Sequence, residues 1–232
     1  MRPSDHEELR TLDLFKNMEQ GNFDLLMRGA YVQNFPPQVD LVSEGDPSDF
    51  LHVVVEGSVE LFASWNRHET TMSIARPVST FILAAAIQDA PYLMSARTLE
   101  KSRVILLPSI DVRAIFETDH FFARAVVTEL AKRYRAVLKD AKNLKLRSSI
   151  ERLANFLLKT QIFAGGGDRF ELGLEKRRLA SRLGMTPENL SRAIKALIPY
   201  GVVISGSQVE IADNGDLTVL AKPTLLIDDP NS

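Results

Sequence analysis

Glu175-Lys-Arg-Arg-Leu-Ala-Ser-Arg-Leu-Gly184-Met-Thr-Pro-Glu-Asn-Leu-Ser-Arg-Ala-Ile-Lys-Ala-Leu197 is the stretch that decides how this chain is read. Leu179, Ala180 and Leu183 fall on one face of a first short helix, with Lys176, Arg177, Arg178 and Arg182 on its other faces. Gly184 supplies the left-handed backbone that a sharp turn requires. Thr186 is placed to cap a second helix with its hydroxyl, and Pro187 suits the first helical position, where a missing N–H costs nothing. The second helix turns Leu190, Ala193, Ile194 and Leu197 inward and leaves Glu188, Asn189, Ser191, Arg192 and Lys195 outside. Such a face suits a DNA major groove, because Glu accepts from cytosine N4 and Arg donates twice to guanine. An ordinary helical hairpin with a solvated basic face would share the charges. Cap, turn and reading face in this order favour a helix-turn-helix.

Working outward toward the C-terminus, Val202-Val-Ile-Ser-Gly-Ser-Gln-Val-Glu-Ile211 places two short apolar runs around a Ser-Gly-Ser turn, the pattern of a hairpin wing. Toward the N-terminus, Ala123, Val127, Leu130, Tyr134, Val137, Ala141 and Leu144 recur at spacings of four and three, a heptad seam sustained for three heptads. A long helix with one narrow apolar stripe wants a partner helix, and two-fold operators are read by symmetric dimers, so a homodimer is expected. Phe122, Val126 and Leu138 lie off the seam and are left to pack locally. Residues 147–149 form a hinge into a helix over Ile150–Ile162. Gly165-Gly166-Gly167 lacks the residues and the strand-to-helix context of a phosphate cradle and reads as a loop.

Before the seam, residues 5–29 read as helical. From Tyr31 to about Leu107, short β runs punctuated by Gly and Pro imply a β-sandwich or roll, with Gly45 and Gly57 at corners, followed by a short helix near Ser109–Phe116. The domain plan is a β-roll over residues 1–117, a dimerisation helix over 118–146 and a winged helix-turn-helix over 147–232, an α+β architecture.

Composition narrows the function classes. The chain has 232 residues, long enough for two cores, and 45% of them are hydrophobic. No stretch reads as a membrane span or a signal peptide, so a cytoplasmic protein with no membrane partner is expected. With no cysteine, thiolate-held iron–sulfur clusters are excluded. Four scattered His, with no triad, no metal-spaced cluster and no nucleotide-binding glycine fingerprint, argue against an enzyme. The net charge is only −2, but basic residues gather in the helix-turn-helix and in the helix before it.

The order of helix, β-roll, long helix and winged helix resembles the Crp/Fnr family of bacterial transcription regulators over nearly the whole chain. The likeness rests on Glu44-Gly45-Asp46, on Leu51 to Val59 and on the Leu179 to Arg192 stretch. It implies a cyclic-nucleotide-binding-like jelly roll, a partnership with double-stranded DNA and with RNA polymerase, and a recognition helix whose Glu188-x-x-Ser191-Arg192 resembles the Fnr-type reader. The implied target is a TTGA-N-TCAA-like palindrome, with Arg192 on guanine, Glu188 on cytosine and Ser191 near the thymine edge. Lys176, Arg177, Thr186, Asn189, Lys195 and Ser205 are expected on the DNA backbone.

The sensor departs from the family pattern. Cyclic-nucleotide-binding members carry Phe-Gly-Glu and then Arg-Ser/Thr-Ala, whereas the matching stretches here are Thr80-Phe81-Ile82-Leu83 and Tyr92-Leu93-Met94. The family's adenine-contacting hydroxyls fall at Val137 and Leu138. Useful binding of cyclic AMP is therefore not expected. A sensor pocket of Phe81, Ile82, Leu83, Tyr92, Leu93, Val137 and Leu138 leaves open an NO- or CO-sensing haem, with an axial ligand from His6, His52, His68 or His120, a cyclic nucleotide in an atypical pocket, a small apolar ligand, or no ligand. A regulatory kinase or channel subunit would explain the roll but leave the winged helix without a role.

Overall fold

The computed structural model describes residues 3–66 and 68–229, with the side chains of residues 3, 4 and 68 outside the description. The chain divides into two compact units, Met1–Lys132 and Arg133–Ser232, with the boundary inside one long helix.

In the first unit, helices α1 (Pro3–Thr11) and α2 (Gln20–Gly29) precede strands β1 (Tyr31–Phe35), β2 (Asp40–Val42), β3 (Phe50–Glu56), β4 (Val59–Trp65), β5 (His68–Ala75) and β6 (Ser79–Phe81). The short helix α3 (Leu83–Gln88), strands β7 (Ser95–Thr98) and β8 (Ser102–Pro108) and helix α4 (Ser109–Thr118) follow. Helix α5 (His120–Leu146) closes the unit with its first turns. Two antiparallel four-stranded sheets, ordered β1-β8-β3-β6 and β2-β7-β4-β5, face each other. Val54, Val59, Leu61, Phe81 and Ala96 fill the space between them. The alternate residues of β3, Leu51, Val53 and Val55, point the other way, onto α1, α2, α4 and the Phe122–Val126 face of α5.

The helix expected over 5–29 is interrupted. Arg10 donates to the carbonyls of Phe15 at 2.9 Å and Met18 at 2.7 Å, which turns that stretch back on itself between α1 and α2. Asp119 sets the start of α5: fully buried, it accepts from the Phe122 and Glu19 N–H groups, each at 2.9 Å, and from Asn22 at 3.1 Å. Burial alone would raise its carboxyl, but these donors outweigh burial and hold it below the usual carboxylate range. Buried Arg103 ties α1 to the roll through Asp5, Glu8 and Glu56.

The second unit begins with the remainder of α5. Helix α6 (Ser149–Phe163) starts at a capping box in which Ser148 and Glu151 satisfy each other's backbone N–H groups. Strand β9 (Arg169–Glu171), helices α7 (Lys176–Arg182) and α8 (Pro187–Leu197), strands β10 (Val202–Ser205) and β11 (Gln208–Ile211) and helices α9 (Asn214–Ala221) and α10 (Leu225–Asp228) complete it. The hairpin expected over 202–211 is present, and β9 adds a third strand to its edge in the order β10-β11-β9. The buried core joins Leu153, Leu157, Phe170, Leu179, Leu183, Leu190, Leu197, Val209 and Leu217.

Candidate nucleic-acid interface

Helix α7 anchors the reading head through Leu179 and Ala180, both buried, while Lys176 and Arg177 stay exposed at its start. Gly184 has φ +61°, and a Cβ there would stand 2.5 Å from Leu144 Cδ2, so the turn requires glycine for its conformation and sits directly on the end of α5. Met185 N–H donates back to Ala180 O at 3.0 Å and closes the turn. Thr186 is the N-cap of α8 and accepts from Asn189 N–H at 3.2 Å, with Pro187 in the first turn as the sequence implied.

Leu190, Ala193 and Leu197 are buried, so the opposite side of α8 is held outward. Glu188, Ser191, Arg192 and Lys195 are all exposed on it, and Ser205 is exposed at the wing tip. The exposed polar groups at the start of α8 are already held by their neighbours. Thr186 donates to the Glu188 carboxylate, which with the helix's own N–H and the charge of Arg192 holds that carboxyl below its usual range. Ser191 Oγ donates to Pro187 O at 2.9 Å, and the Arg192 guanidinium donates to Asn189 Oδ1. Asn189, expected on the DNA backbone, is half-buried here and holds Arg192.

A coupling that sequence reasoning missed joins this head to α5. Arg152 donates to Leu144 O at 3.2 Å, Arg147 O at 3.1 Å and Gly184 O at 3.3 Å, so one guanidinium caps the end of α5 and grips the helix-turn-helix turn. Along α5, Val127, Tyr134, Val137 and Leu144 are exposed, while Leu130 is partly buried against the N-terminal core and Ala141 is intermediate. Leu138 is also exposed.

The sensor residues do not gather into one lining. Phe81 packs between the sheets, whereas Leu83 points into the helix-covered core on the far side of the first sheet. Ile82, half-buried between them, carries φ +62°, a left-handed conformation that a β-branched residue rarely adopts. Leu93 is 81% exposed, which removes it from any pocket wall, because the segment after α3 turns Tyr92 inward and leaves its neighbour in solvent. Tyr92 is buried with its hydroxyl donating to Phe50 O at 3.2 Å.

His52 is 3% exposed, with its ring stacked on Phe81 at 4.8 Å and edge-on to Tyr92 at 6.4 Å. Burial pushes its pKa down to about 4, so it is neutral at pH 7. His6 packs against Phe23, His120 is exposed, and the side chain of His68 lies outside the described residues. Among the described residues no cluster of three or more His, Cys, Asp and Glu could hold a metal, and no helix is long and apolar enough to cross a membrane.

These residues do not fit a cyclic nucleotide held in the family's manner. A cyclic phosphate needs a cation and backbone donors, and a ribose needs a carboxylate; at the positions expected from the sequence to match that cassette, Ile82, Leu83 and Met94 offer neither a side-chain cation nor a carboxylate. His52, the histidine inside the roll, is stacked on Phe81 and edge-on to Tyr92, and its Nδ1 has no hydrogen-bond partner among the described residues.

Residues 32–119 match the cyclic nucleotide-binding domain family, and residues 151–219 match the Crp-like helix-turn-helix domain family, together more than half of the chain. The chain belongs to the Crp/Fnr family. It is thus a Crp/Fnr-type transcription regulator with a DNA-binding helix-turn-helix, and not an enzyme. A CRP-like cAMP-activated global transcriptional regulator of Mycobacterium tuberculosis is 22% identical over 222 residues, covering 93% of this chain and 99% of its own. Among solved structures, FixK2 from Bradyrhizobium japonicum aligns with a TM-score of 0.70 and 20% identity, over 84% of this chain and 98% of its own. A transcriptional regulator of the Crp/Fnr family from Eubacterium rectale aligns with a TM-score of 0.73 and 15% identity, over 91% of this chain and 99% of its own. The last two likenesses establish the Crp/Fnr fold.

Proposed function

We propose that this regulator binds a TTGA-N-TCAA-like inverted repeat as a homodimer, and that its β-roll has given up the cyclic-nucleotide phosphate cassette. The observation that carries the reading is the outer face of α8, where Glu188, Ser191 and Arg192 stand exposed and pre-positioned on a capped helix. Arg192 reads guanine, Glu188 accepts from cytosine and Ser191 lies near a thymine edge. Lys176, Arg177, Thr186, Lys195 and Ser205 meet phosphates and set affinity and its salt dependence. Asn189 acts first as the support of Arg192.

The exposed Val127, Tyr134, Val137 and Leu144, with Leu130 and Ala141, supply the seam on which two copies pair. Pairing places two recognition helices on one duplex, about one helical turn apart. RNA polymerase is the downstream partner. The sensor carries apolar Ile82, Leu83 and Met94 where an anion would need donors, so its control does not run through cyclic AMP.

Sedimentation of the full chain with and without a duplex carrying the inverted repeat tests the assembly, with a dimer expected in both conditions and a dimer on one duplex in the second. A chain that sediments as a monomer, or shifts a scrambled duplex equally well at moderate salt, contradicts the reading. Titration with cyclic AMP is expected to leave operator affinity unchanged, and a response at micromolar cyclic AMP contradicts the loss of the cassette.

A further inference from the structure

The bend between α5 and α6 is held from the C-terminal side by a segment beyond the residues matched to the helix-turn-helix domain family, which end at 219. Arg147, at the bend, is nearly buried and makes two parallel hydrogen bonds to the Asp228 carboxylate, at 2.7 and 2.5 Å. Its guanidinium also donates to Asn143 at 3.2 Å and to Lys222 O at 3.4 Å. Asp228 is organised for this partner, since its Oδ2 accepts from Thr224 N–H at 2.7 Å within the same turn.

Further polar ties follow along the segment. Lys139 on α5 donates to Asp229 O at 3.4 Å, and Lys222 lies 3.7 Å from Glu151 in the α6 capping box. Apolar packing contributes little. Leu225 and Leu226 are 80% and 71% exposed, and a groove of about 320 Å³ lined by Leu158, Ile162, Phe163 and Leu225 lies between the segment and α6.

We propose that Lys222–Asp229 is a strap that locks the α5–α6 bend through the Arg147–Asp228 pair and so fixes the angle at which the recognition helix is carried on α5. The path from strap to reading head is short. The same bend presents Leu144 to the Gly184 turn and Arg152 to Gly184 O. A locked bend presents the head to DNA already ordered, whereas a free one must lose that motion on binding. The effect on affinity rests on the DNA-binding reading, but the effect on the bend does not.

The test uses the full chain, its Asp228→Asn variant, a chain ending at Lys222, and the charge-swapped pair Arg147→Asp with Asp228→Arg. Amide hydrogen exchange over residues 144–152 is expected to quicken about tenfold in Asp228→Asn and in the shortened chain, and to return toward the parent in the swapped pair. Operator affinity is expected to fall about fivefold and recover in the same order. Unchanged exchange at the bend in both opened forms overturns the proposal, as does tighter operator binding on opening the strap. Failure of the parent chain to bind the duplex would instead contradict the DNA reading and leave the exchange result to decide the strap.

Discussion

Two residues in this chain hold nearly the same left-handed backbone, Gly184 at φ +61° in the reading head and Ile82 at φ +62° in the β-roll. In the head, the residue is the one that pays nothing for that conformation, and it stands between two helices whose apolar stripes, turn and Thr186 cap all agree. In the roll, a β-branched side chain takes that conformation at the junction of β6 and α3, where a Cβ disfavours it. The head still answers to the chemistry of its partner.

The largest expected difference between the two regions is their response to acid. His52 is neutral when folded, with a pKa of about 4, against an ordinary value of 6.5. Between these values the unfolded chain binds a proton that the folded roll refuses, so stability falls as pH drops from 6.5 toward 4 and is intact above 6.5. The loss amounts to about 3 kcal/mol at pH 4. Calorimetric melts of the parent and of His52→Phe across this range should show the steeper fall in the parent, because the carboxyls held below their usual range add the same smaller slope to both. All four His precede residue 133, so the head has no counterpart. Parallel slopes in the two proteins would refute the buried neutral histidine.

The next effect is smaller and belongs to the head. Gly184→Ala places a Cβ in a left-handed turn against Leu144, and thermal unfolding should report a loss of about 1–2 kcal/mol. The reciprocal change is expected to be smallest. In Ile82→Gly, relief of the left-handed conformation offsets the loss of a half-buried side chain, so stability should stay within about 1 kcal/mol of the parent. If Ile82→Gly costs as much as Gly184→Ala, the contrast between the two turns is wrong.

The same contrast explains what could be read from the sequence. Thr186, Pro187, Gly184 and the Leu190–Leu197 stripe are local signals, each with one physical meaning, and the structure places them as expected. The wing hairpin was legible from alternation around Ser-Gly-Ser, but β9 was not, because a three-residue strand leaves no period to detect. The break between α1 and α2 was hidden because it depends on Arg10 reaching carbonyls five and eight residues away. The pocket expected from Phe81, Leu83 and Leu93 failed for a geometric reason. Neighbours at a strand end and in a loop face different cores or solvent, and apolar character alone does not say which. The Arg147–Asp228 pair spans 81 residues and could not be inferred from either partner's surroundings in the chain.

Arg192 carries the central claim, and its replacement tests it most directly. A mobility-shift comparison of the full-length parent and Arg192→Ala on a TTGA-N-TCAA duplex and on a scrambled duplex should show specific affinity falling about ten- to a hundredfold, the cost of roughly 1–3 kcal/mol for a lost guanine contact. Binding to the scrambled duplex should change little. Equal affinity of the two proteins for the inverted repeat would contradict the assignment of α8 as the element that reads bases.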